Sequence, residues 1–121
     1  TAYEIGVRLV GSEMCIRDSN QGVISNYTIN AQELGLPQIS MDALRIGTAE
    51  DSAALLHKVL QNYKGPTRDV VLLNAAAVFL VAGRVGKISD GLTLAEQAID
   101  SGRAAEALDK LIEVSQKSAN Q

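Results

Sequence analysis

The sequence predicts an α/β fold, mostly helical, forming the C-terminal part of a larger domain. Three observations lead there. Thr67 to Gly83 (TRDVVLLNAAAVFLVAG) is apolar at every position from Val70 to Ala82 except Asn74, and a helix apolar on all faces belongs in an interior. Gly22 to Asn30 (GVISNYTIN) alternates like a strand, Val23, Ser25, Tyr27 and Ile29 falling on one face and Ile24 and Thr28 on the other. No segment after residue 19 supplies it with a partner, and a lone strand leaves its backbone donors and acceptors unpaired. Composition and periodicity alone fit an α/β or an all-α piece. The orphan strand favours α/β and places its neighbours upstream.

The totals bound the rest. A chain of 121 residues is one domain or part of one. A formal net charge of −3 offers no basic footprint for nucleic acid. The apolar run at Val70–Ala82 is shorter than the roughly 20 residues of a membrane span, so no membrane partner is expected. One cysteine excludes an internal disulfide framework and fits a reducing, cytoplasmic compartment. With no Trp and one Phe, the core must be aliphatic.

The first 19 residues, TAYEIGVRLVGSEMCIRDS, differ in character from the remainder of the chain. Their alternation is broken by Gly6, Gly11 and Ser12, and no helical period is sustained. Leu9 to Ser19 resembles a translated sequencing adapter, and Thr1 to Ile5 resembles its outer part. Residues 1–19 are therefore read as a non-native segment expected to pack poorly, which removes Met14 and Cys15 from functional consideration. Residues 20–121 are read as one fragment of an α/β domain.

Asn30-Ala31-Gln32-Glu33 has capping-box spacing for a short helical turn, ended by Gly35-Leu36-Pro37. Gln38 to Gly47 is a connector without a firm period. Thr48 can cap the next helix, with Glu50 and Asp51 in its first turn and Leu55, Leu56, Val59, Leu60 and Tyr63 as its stripe. Gly65-Pro66 separates it from the central apolar helix, for which Thr67 is the expected cap, Asp69 the first-turn acid and Gly83 the stop. Ser89 or Asp90 can cap a third helix, striped by Leu92, Leu94, Ala95, Ala98 and Ile99 and ended by Gly102. A last helix runs from Arg103 to about Gln116, its inner face Ala104, Leu108, Leu111, Ile112 and Ser115. Glu106–Lys110 and Glu113–Lys117 are favourable i,i+4 pairs, and Ser118 to Gln121 should fray.

Gly22-x-Ile24-x-x-Tyr27-x-Ile29, Glu33-Leu34-Gly35-Leu36, Gly65-x-x-Arg68-Asp69-Val70-Val71-Leu72-Leu73-Asn74-Ala75-Ala76 and Ile99-Asp100-Ser101-Gly102-x-Ala104 together resemble the C-terminal part of the anthranilate phosphoribosyltransferase family. The resemblance covers about residues 20–117. It departs at Ala31, where a proline is common, and at Ile46-Gly47, where a glycine pair is common. It implies the large α/β domain of the nucleoside phosphorylase and phosphoribosyltransferase fold. It further implies transfer of a phosphoribosyl group from 5-phosphoribosyl-1-diphosphate to anthranilate in tryptophan biosynthesis, with help from Mg²⁺, in a homodimer. The family's glycine-rich diphosphate loop, its Lys-His-Gly-Asn-Arg segment and its Asp-Glu metal pair match nothing here. No catalytic, cofactor-binding or metal residue is therefore assigned to this chain, and the fragment alone is expected to be inactive. Alternatives are a fragment of a pyrimidine nucleoside phosphorylase-like enzyme and a self-contained helical binding module.

The candidate residues have modest readings. Gly83-Arg84-Val85-Gly86-Lys87 falls short of the phosphate-loop pattern G-x-x-x-x-G-K-[ST], so a helix cap and turn are expected. Asn74, the lone polar residue in the apolar helix, is expected to be buried and bonded to backbone rather than to substrate. Arg68 and Asp69 could meet a phosphate; the favoured reading pairs Arg68 with an acidic neighbour and gives Asp69 to the helix terminus. His57 is expected on an exposed helix position without a metal, and Ser89-Asp90 suggests no triad. Tyr3-Glu4-Ile5 imitates an Asp-Glu-Ile metal motif inside the adapter-like stretch, and no metal role passes to Glu4.

Overall fold

The computed structural model describes residues 13–119. The chain divides between Arg45 and Ile46 into two compact units. The outer adapter-like residues with Glu4, and the tail residues Asn120 and Gln121, lie outside the described part.

The first unit is a β-hairpin followed by short 3₁₀ turns. Strand β1 (Glu13–Asn20) pairs antiparallel with strand β2 (Val23–Asn30), from Asn20 opposite Val23 to Glu13 opposite Asn30. The expected strand is present, and its partner comes from the stretch the sequence set aside. The reason is local: Gly6, Gly11 and Ser12, which broke the alternation, all precede Glu13. Gln21 and Gly22 join the strands with φ of 50° and 83°. Two positive values in a two-residue loop are the type I′ geometry, whose twist matches that of paired strands. Ile29 is buried and Tyr27 half-buried, whereas Val23 and Ile24 are exposed.

A 3₁₀ turn follows at Gln32–Leu34, where the Asn30 side chain accepts from the Gln32 N–H at 2.9 Å. Gly35 closes it in the left-handed conformation (φ 76°), as the sequence indicated. A second 3₁₀ turn, Met41–Leu44, lies inside the expected connector.

The second unit holds four helices: α1 (Ala49–Leu60), α2 (Pro66–Val81), α3 (Ile88–Asp100) and α4 (Arg103–Ala119). Thr48 caps α1 as expected, its hydroxyl accepting from the Asp51 N–H at 3.1 Å. α1 ends in a Schellman motif with Asn62 at φ 66°, Asn62 N–H bonding Val59 and Tyr63 N–H bonding Lys58. Thr67 does not cap α2: Gly65 holds that position and Pro66 is the first helical residue, its missing N–H costing nothing there. The stop at Gly83 is a full Schellman motif, with Gly83 N–H on Leu80 and Arg84 N–H on Phe79. α3 likewise begins before its expected caps; Lys87 is the N-cap residue, and Ser89 and Asp90 lie in the first turn.

The core of this unit sits where α2 meets α3. Leu72, Leu73 and Ala76 of α2 are buried with Leu92, Ala95 and Ile99 of α3, and Val59 of α1 joins them. Close approach is possible because residue 91 is glycine. A Cβ there would stand 2.7 Å from the Ala76 carbonyl oxygen and 2.9 Å from its Cα. Two sequence expectations change. α2 is buried on one side only, since Val78 is 66% and Val81 82% exposed. The expected inner face of α4 is covered only near Ala104 and Leu108, with Leu111, Ile112 and Ser115 exposed. In each case the stripe is present but the surface to cover it is not among the described residues. Of the two expected pairs on α4, Glu113 and Lys117 close and Glu106 and Lys110 do not.

Candidate functional site

Among the described residues, the first turn of α2 carries the ion pair that has a buried member. Arg68 is buried, 3% exposed, and its Nη2 donates to Asp100 Oδ1 at 3.0 Å. Asp100 is the last residue of α3, and its side chain is 46% exposed. The Arg68 Nε is buried without a partner. The sequence reading of an acidic partner for Arg68 holds; the identity of that partner was out of its reach. A signal existed, because a cation in a helix's first turn and an anion in a helix's last turn each oppose the local dipole. Two such misplacements fit a pair that compensate each other.

Asp69, half-buried next to Arg68, has its carboxyl pushed above the ordinary range by burial. The charges of Arg68 and Lys64 act against that rise, and Glu96 adds to it. The position suits the helix terminus, and Asp69 N–H bonds the Gly65 carbonyl at 3.2 Å.

The other candidates are scattered. Asn74 is exposed, which overturns the expectation of a buried amide; it lies on the side of α2 away from α3, and no hydrogen bond to a described residue holds its side chain. His57 is exposed on α1, as expected. Ser89 and Asp90 are exposed at the start of α3, and no hydrogen bond joins them to His57. Gly83 to Lys87 form the cap of α2 and the entry to α3 rather than a phosphate loop. Among the described residues there is no cluster of three His, Cys, Asp or Glu side chains that could hold a metal ion. No helix among them is long and apolar enough to cross a membrane. Chemically, the assembled group can lock two helix ends together; it brings no nucleophile to a base.

Comparison with known proteins gives this scaffold a context. Residues 7–105 match the model of the glycosyl transferase family, a/b domain, a match that begins within the adapter-like stretch. The chain belongs to this family. Among the family's members, anthranilate phosphoribosyltransferase from Dehalococcoides mccartyi strain 195 is 45% identical over 94 residues, 78% of this chain and 28% of that one. The enzyme of the same name from Thermomicrobium roseum is 43% identical over 96 residues, 79% of this chain and 28% of that one. The crystal structure of anthranilate phosphoribosyltransferase from Thermus thermophilus superposes with a TM-score of 0.74 at 32% identity, over 84% of this chain and 30% of that one. The α/β class expected from the lone strand is thus the class of the family, and the described helices and hairpin make up part of such a domain. The chain spans under a third of the length of these relatives.

Proposed function

We propose that this chain is the C-terminal part of an enzyme that transfers a phosphoribosyl group from 5-phosphoribosyl-1-diphosphate to anthranilate, releasing diphosphate, in tryptophan biosynthesis. The observation that carries the reading is identity of 43–45% to two anthranilate phosphoribosyltransferases over almost four fifths of the chain. In this enzyme the present residues are scaffold. The α2–α3 crossing and the Arg68–Asp100 clamp hold helices in place, and the groups that touch substrate come from the remainder of the polypeptide. Mg²⁺ belongs to the same proposal, but the residues described here do not fit it, having no cluster of acidic or histidine ligands. The ion's ligands then lie elsewhere in the full-length enzyme, which we place in the cytoplasm as a homodimer. Residues 1–19 we read as non-native, and sequencing the genomic DNA upstream of Asn20 tests that directly.

The function is tested with the protein encoded by the intact gene. Incubated with anthranilate, 5-phosphoribosyl-1-diphosphate and Mg²⁺, it is expected to consume anthranilate, followed by loss of anthranilate fluorescence. The 121-residue chain alone is expected to consume none. A full-length product that ignores anthranilate but cleaves pyrimidine nucleosides with phosphate belongs instead to the nucleoside phosphorylases, and the proposal fails.

A further inference from the structure

We draw no further inference here: the strongest candidate, the buried side-chain cluster at the first turn of α2 in which the Arg68 Nε has no hydrogen-bond partner among the described residues, belongs to the Arg68–Asp100 pair already described, and nothing in the structure shows what group would reach that atom.

Discussion

Arg68 and Asp100 meet at 3.0 Å although 32 positions separate them, tying the first turn of α2 to the last residue of α3. Each stands at the wrong end of its own helix dipole, a penalty of about 0.3–1 kcal/mol apiece. A guanidinium buried to 3% exposure without a counter-charge costs more than that, so the pair forms in spite of both dipoles. Asp100→Asn is expected to destabilise the fold by about 1–3 kcal/mol, below the full cost of a broken buried pair because Asp100 itself is half exposed. Arg68→Met, which removes the buried charge and keeps the bulk, should cost less in the Asp100→Asn background than in the native one. Urea denaturation of the four members of this cycle measures the coupling, and additive losses would show that the two charges do not support each other.

The α2–α3 crossing predicts a loss of stability at Gly91 that a glycine outside the crossing, Gly47, does not share. Gly91→Ala adds a methyl group 2.7 Å from the backbone oxygen of Ala76, which cannot swing away as a side chain could. Overpacking of this kind costs about 1–3 kcal/mol, more than the roughly 1 kcal/mol that alanine gains over glycine inside a helix. At Gly47 the added Cβ would meet only the Asp51 carboxylate at 3.7 Å, an ordinary contact. Gly47→Ala should therefore leave the thermal midpoint within a degree or two, while Gly91→Ala lowers it clearly. Equal midpoints would mean that the helices can part without loss.

Asp69 predicts a pH dependence. Its carboxyl is raised above its ordinary value near 3.8, first by burial, with Arg68 and Lys64 opposing and Glu96 adding. The folded state then holds the proton more tightly than the unfolded state. Its contribution to stability is complete below the ordinary value, is lost as pH rises through the raised one, and leaves a constant deficit above that. Asp69→Asn carries no such deficit. The variant is expected to gain on the native protein in neutral solution, and the gap should close in acid. Denaturation at a series of pH values across the carboxylate range checks this; a gap that widens in acid would show that the carboxylate is held in its charged form.

What could be read from the chain was local. Thr48 as a cap and Gly35, Gly83 and Gly102 as stops depend on a few neighbouring residues, and all are found, whereas the stripe expected on α1 is covered at Val59 but leaves Leu56 and Tyr63 exposed. Thr67 is displaced as a cap because a proline immediately before it takes the first helical position, where its lack of an N–H is harmless. The pairing of Arg68 was legible in kind but not in partner, since the sequence does not state which helix ends meet. Asn74 and the outer parts of α2 and α4 depart from expectation for one reason. A hydrophobic pattern shows that a face is made for burial and does not supply the surface that buries it. The close contact of Gly91 with Ala76 left no local trace, because a glycine inside a helix has the same appearance whether it is crowded or free.

The turn between β1 and β2 gives the sharpest local prediction. Both Gln21 and Gly22 have positive φ, 50° and 83°, as a type I′ turn requires. Glycine takes this conformation freely, and no atom stands within 4 Å of a Cβ built at Gly22. A substitution there is therefore opposed by the backbone alone, by about 1–2 kcal/mol for a residue with a Cβ. Gly22→Val should loosen the hairpin, since a β-branched residue is the least tolerant of positive φ. Gln21→Asn should tighten it, because asparagine is preferred over glutamine at the first position of such a turn. Cross-strand contacts between Asn20 and Val23, and between Ser19 and Ile24, report the outcome in nuclear Overhauser spectra. They are expected to weaken in the first variant and to persist at higher temperature in the second. Unchanged contacts in Gly22→Val would mean that strand pairing, rather than the turn, sets the register.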